Sequence, residues 1–327
     1  MKKRTVLRVF LCAFIILLLY GTPSFAGTQV GGLISANTTW TLANSPYTVT
    51  STVQVYGTST SPVTLTIQPG VVVYFNSGTS LQIGSSTNLG ALVAQGTSTN
   101  HITFTQSAAN VTWGGINFQA GTVNSTTNLQ YVDIQYSTGI SMTSASPTIG
   151  YSTITNVSGY GMYLTSSNPS LQNVTISSTN SWGMYLISSN PVLNTVAVTA
   201  NGTYGIYLSS SSPTITNGSL TNSSSAGYGI YGSGSPVISN YNVSIVNTAT
   251  YYGCYLSSTT SSLSLTNSTI TNGLYIGTTG IAPTITGNTF TNVDNSPMHA
   301  GANIIAQILS GNTITGMSSA GQIQVVG

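Results

Sequence analysis

A near-verbatim repeat constrains this chain more than any other feature. The tetrapeptide Gly161-Met162-Tyr163-Leu164 returns as Gly183-Met184-Tyr185-Leu186 and Gly205-Ile206-Tyr207-Leu208. Looser copies begin at Gly139, Gly229, Gly253 and Gly273, so the steps are 22, 22, 22, 24, 24 and 20 residues. Pro147, Pro169, Pro191, Pro213, Pro236 and Pro283 keep similar time. A period in this range is the signature of a repeat architecture in which each unit buries its apolar face on the next.

Inside a unit the apolar residues alternate with polar ones, as in Met162 and Leu164, then Leu171, then Val174 and Ile176. Period 2 means short half-buried strands, and Gly, Asn-Pro and Ser-Ser supply the turns between them. Helical solenoids need Leu, Ala, Glu, Lys and Arg on helical spacing, which is missing here. The spacing therefore predicts an all-β chain, a right-handed parallel β-helix with about 22 residues and about three strands per coil.

Stacking places each residue above its equivalent one coil on, so three outer columns are expected. Asn173, Asn217, Asn240 and Asn267 form one, suited to an amide ladder. Tyr163, Tyr185, Tyr207, Tyr231, Tyr255 and Tyr275 form the second, and Tyr160, Trp182, Tyr204, Tyr228 and Tyr252, three residues earlier, the third. These eleven rings are the candidate binding residues. Stacked rings rigidify a face, and flat uncharged rings beside hydroxyls and amides also suit sugars.

Residues 1–26 read as a cleaved secretion signal: Lys2, Lys3, Arg4 and Arg8, an apolar run from Val9 to Tyr20, then Ser24-Phe25-Ala26. The apolar run is too short to span a bilayer, which takes about 20 residues. Residues 27–125 are read as an N-terminal cap with the first coils, and 126–327 as the repeat coils. All four basic residues lie in the signal, so the net charge of +2 belongs to the precursor. What remains carries two acids, Asp133 and Asp294, against no Lys or Arg, a formal charge of −2. Without basic residues, nucleic-acid binding and attraction to anionic membranes are excluded. The 40% apolar content, in register, argues for a packed core rather than disorder. Cys254, the one cysteine after the signal, occupies the inward position of Met162 and Ile206 and reads as a small buried residue.

The segments "GGLISANTTWTLANSPYTVTSTV", "LTIQPGVVVYF", "ALVAQGTSTNHITFTQ", "WGGINF" and "LQYVDIQYS" cover most of residues 31–136. This succession resembles the N-terminal part of secreted right-handed parallel β-helix repeat proteins of the pectate-lyase-like superfamily. The resemblance implies the fold, and enzymes, adhesins and structural proteins all use that fold. Gln68, Thr112, Gln130 and Gln135 stand where such relatives tend to carry acids, so the scaffold has lost charge.

Catalysis finds little to work with. Glycoside hydrolysis needs two carboxyl groups within about 10 Å. Asp133 and Asp294 are 161 residues apart, about seven coils or roughly 34 Å along the axis. Asp133, in Tyr131-Val132-Asp133-Ile134-Gln135, reads as a solvated surface carboxylate, and His101 as the residue that opens a strand. Asp294 with His299 in "NVDNSPMHAGAN" falls short of a calcium or transition-metal set. No catalytic residue, metal or cofactor is expected. Thr-x-Thr recurs at Thr153, Thr269, Thr289 and Thr313, but Ala197 and Asn242 break the flat array that ice binding needs. Ten Asn-x-Ser/Thr sequons, among them Asn173, Asn201 and Asn267, are potential glycan acceptors.

The expected protein is a secreted, non-catalytic β-helix rod of a cell surface or extracellular matrix. It would meet itself or a neutral polysaccharide, because charge near zero favours association. A polysaccharide-binding adhesin using the aromatic columns is the alternative, and an accessory or inactive relative of polysaccharide-degrading enzymes the third. Few groups titrate between about pH 2 and 9, so stability should be nearly flat there.

Overall fold

The computed structural model describes residues 27–178, 181–246, 251–258, 263–277, 283–291, 298–300, 304, 308–316 and 323–325. The expected signal, residues 1–26, and Asp294 lie outside these.

One unit shows how the coil is made. Met162–Thr165 forms a strand of the first sheet. The chain turns at Ser166, whose φ is 50°, and Pro169, which has no N–H to give to a ladder, leads into Ser170–Ser178. That long strand bends at Asn173, with φ 53°, so its first half lies in a second sheet and its second half in a third. Gly183 then leads into the next strand, Met184–Ile187. Register follows the repeat: Met162 pairs with Met184, Leu171 with Leu193 and Ile176 with Val198, all parallel. About eleven such coils make an all-β solenoid; a 3-10 turn at Leu42–Asn44 is one of its few helical residues.

Inward positions stack into apolar columns. Met142, Leu164, Leu186 and Leu208 form one and Ile154, Ile176, Val198 and Leu220 another, all at most 1% exposed. Each buried side chain rests on its equivalents above and below, which is how short strands with one apolar face make a continuous core. The early coils add aromatic bulk. Phe75 stacks on Trp113 at 3.9 Å, and the Trp113 indole donates to the Gln135 carbonyl.

The corner at Asn173 carries left-handed backbone in most coils. Gly70, Tyr131, Tyr151, Asn173, Thr195, Asn217, Asn240, Asn267 and Gly287 all have φ between 47° and 77°. Asparagine tolerates this region better than most residues, so the backbone, more than an amide ladder, places it there. The expected ladder is accordingly partial. Asn240 donates to Asn217 at 3.3 Å, Asn217 donates to Asn194, and Thr195 takes the intervening corner position.

The other corner holds a serine ladder, where sequence had shown only turn punctuation. Ser167, Ser189 and Ser211 are fully buried. Each hydroxyl accepts an N–H from the preceding coil, Ala145 to Ser167, Ser167 to Ser189 and Ser189 to Ser211, at 3.0–3.1 Å. Each also donates to the carbonyl two residues back. The turn's backbone is thereby satisfied without water. Cys254 is buried as expected, and burial pushes its thiol up to about 12. In a chain without residues 1–26, a thiol reagent at pH 8 should leave the folded protein unmodified and label the one remaining thiol after denaturation; labelling without unfolding would contradict this burial.

Candidate functional site

The first sheet turns its outer side into an aromatic band. Backbone register puts Tyr163, Tyr185, Tyr207, Tyr231, Tyr255 and Tyr275 in one column. The second column interlocks with it. Tyr160 and Trp182 are 5.3 Å apart, Trp182 and Tyr204 4.8 Å, and Tyr204 and Tyr228 5.7 Å. Tyr252 packs on Tyr255 and Tyr275. All eleven expected rings join one chain of contacts. Tyr251, which the repeat alignment passed over, contacts Tyr228 at 5.0 Å; the Tyr251-Tyr252 pair was the available signal.

Ring orientation changes along the band. Tyr163, Tyr185 and Tyr207 meet nearly perpendicular, at 84° and 85°. Tyr231, Tyr255 and Tyr275 lie parallel, at 4.7 and 4.2 Å with 12° and 11° between planes. Parallel neighbours spend their faces on each other, whereas the perpendicular stretch offers a mixture of faces and edges. Every ring is half-buried. Earlier coils put Gln82, Asn117 and Ser141 in the Tyr163 column.

The phenols report this packing. Burial, followed by repulsion from neighbouring phenolates, raises Tyr185, Tyr204, Tyr228 and Tyr252. Tyr255 is pushed up to about 12, first by burial and then by Tyr275. A phenol that titrates higher folded than unfolded stabilises the fold below its unfolded value, and that contribution is lost as pH climbs to the folded value. Circular dichroism should therefore be flat at acid and neutral pH and fall between about pH 10 and 12. Tyrosinate absorbance should lag behind free tyrosine, and Tyr255→Phe should move the alkaline midpoint upward.

Asp133 departs from the expectation of a plain solvated carboxylate. One oxygen lies 3.0 Å from His101 Nδ1, and the other accepts the Thr153 hydroxyl at 2.7 Å. The reason is register: Asp133 pairs with Thr103 and Thr153, which brings His101 and Thr153 to its two sides. Tyr131 sits beside His101 at 5.6 Å and stacks on Tyr151 at 4.9 Å. A solvent-open groove of about 300 Å³ lies further along the same corner, lined by Gly218, Asn240, Tyr241, Asn242, Asn267 and Thr269. Of His299 only the backbone is described, extending the Tyr275 column.

The Thr-x-Thr face breaks where expected, Ala197 standing over Thr175 and Asn242 over Ser219. Asn222, in one of the ten sequons, is buried and donates to the Gly202 and Tyr228 carbonyls, so it is closed to a glycan. Among the described residues no group of three His, Cys, Asp or Glu side chains is placed to hold a metal ion.

Coil, register and core define a parallel β-helix repeat protein. Comparison with protein families agrees: the model described as the right handed beta helix region matches residues 114–270. Comparisons with curated proteins and with solved structures find no match.

Proposed function

We propose that the protein is a secreted, non-catalytic rod that serves as a structural component of a cell surface or extracellular matrix. The observation that carries this reading is the aromatic band, an unbroken chain of ring contacts from Tyr160 to Tyr275 on an outer face without charge. Half-buried rings that brace one another stiffen the coil stack, each pair contributing about 0.5–1.5 kcal/mol beyond burial. A face with no ionic groups sheds little hydration when it meets another neutral surface, and nothing repels a second copy. Secretion rests on the leader-like residues 1–26. The non-catalytic reading rests on Asp133, the one described carboxylate, being committed to His101 and Thr153.

The second reading is an adhesin that grips polysaccharide with the band, favoured by the perpendicular rings from Tyr163 to Tyr207. Depletion by insoluble neutral polysaccharides separates the two, run beside a Tyr185→Ala, Tyr207→Ala variant whose folding is verified. The rod reading expects no depletion that depends on the band. Specific depletion by one polymer, lost in the variant, would overturn it in favour of the adhesin.

A further inference from the structure

We propose that the corner built by His101, Tyr131 and Tyr151 is a binding site for a neutral saccharide chain. The site is separate from the aromatic band and stands independently of the function proposed above. Three observations converge on it.

The first is backbone conformation. The residues of this corner column have φ near +50° to +77° from Gly70 to Gly287, and Gly or Asn fills most of the positions. Tyr131 (φ 51°) and Tyr151 (φ 49°) are bulky residues held where Gly or Asn fits with less strain. Strain of this kind concentrates at sites where a particular side chain is needed. The second is stacking. Tyr131 and Tyr151 are 14° from parallel, His101 tilts against Tyr131, and Tyr151 remains 42% exposed. The third is charge. His101 and Asp133 make the one carboxylate–imidazole contact among the described residues, in a chain whose one other acid is Asp294 and whose Lys and Arg all lie within the first eight residues.

The chemistry of the corner selects the ligand class. Both oxygens of Asp133 are committed, one to His101 and one to Thr153, so a cation finds no free carboxylate. No Lys or Arg follows residue 8, so an anion finds no clamp. His101 Nδ1 is held by Asp133, which leaves Nε2 to meet a ligand. That nitrogen makes no hydrogen bond among the described residues, and the side chain is 34% exposed. A partly exposed ring beside an imidazole nitrogen without a protein partner suits a sugar, with C–H groups packed on the open part of Tyr151 and a hydroxyl hydrogen-bonded to His101. Because the three rings are arrayed along the rod, a chain of sugar units fits better than one.

The full secreted chain holds two histidines, so the imidazole resonances in proton–carbon correlation spectra report the site directly, with His299 as internal control. The probes are cellohexaose and xylohexaose for a free polymer, and a high-mannose glycopeptide for a glycan on a partner protein. Oligogalacturonate and tetramethylammonium serve as anionic and cationic comparisons. The expected result is a saturable shift of His101 alone with at least one neutral probe. In Tyr131→Asn, Tyr151→Asn that binding should weaken about tenfold or more, with a melting temperature no lower than wild type because Asn suits the left-handed corner. Tyr151→Asn alone provides the same reading if the double variant fails to fold. No shift with any neutral probe, a larger shift with either charged probe, or undiminished binding in the Asn variants would overturn the proposal. A melting temperature that falls in both Asn variants would make the tyrosines structural and would overturn it too.

Discussion

Gly232→Ala should cost about 3–5 kcal/mol, lowering the melting temperature by about 10 °C. Gly232 stands in an inward column between Leu208 and Leu256. Its φ is 138°, a region that L side chains rarely adopt, and an added Cβ would lie 1.9 Å from the Leu208 carbonyl oxygen. That oxygen is backbone of the neighbouring coil, so relief requires the coils to separate locally. A solenoid couples each coil chiefly to its neighbours. Hydrogen exchange should therefore accelerate in the coils around residue 232 and stay slow around Phe75 and Phe104. Gly78→Ala is the control: its φ is also positive, at 71°, but nothing lies within 4 Å of the added carbon, so only the backbone term, about 1 kcal/mol, remains. Equal costs at the two sites would mean that coil-to-coil contact is not what limits position 232.

Ser167→Ala, Ser189→Ala and Ser211→Ala combined should approach the limit of the fold. Each substitution removes an acceptor from a buried N–H of the preceding coil, leaving a donor without a partner at about 1–3 kcal/mol. The triple variant then loses on the order of 6 kcal/mol, comparable to the whole stability of many domains. Ser141→Ala, on the outer side of the first sheet, should change stability by about 0.5 kcal/mol or less. Urea unfolding of the wild type and the two variants measures the difference. A triple variant as stable as Ser141→Ala would show that the ladder contributes nothing.

Much of this architecture was legible in the sequence because two periods coincide in it. Alternation assigned Leu164, Ile176 and their equivalents to the core, and the 22-residue step placed Tyr163 under Tyr185. The serine ladder was hidden by composition, since a Ser-Ser pair in a serine-rich chain carries no signal of burial. The Asn column was visible, but its cause was not: φ at residues 173, 217, 240 and 267 belongs to the turn, and sequence shows only the residue that tolerates it. The His101 and Asp133 pair was out of reach for another reason. Ile102 pairs with Val132, 30 residues on, because an intervening loop lengthens that coil. A strict 22-residue step therefore puts His101 beside the wrong partner.

Sedimentation velocity of residues 27–327 across protein concentration tests the central claim most directly, run beside a Tyr185→Lys, Tyr231→Lys variant that places charge on the band. The account predicts reversible association that grows with concentration, changes little with salt, and is lost in the charged variant. A wild-type chain that stays monomeric at every concentration, or a charged variant that associates equally well, would contradict a rod that assembles through its neutral aromatic face.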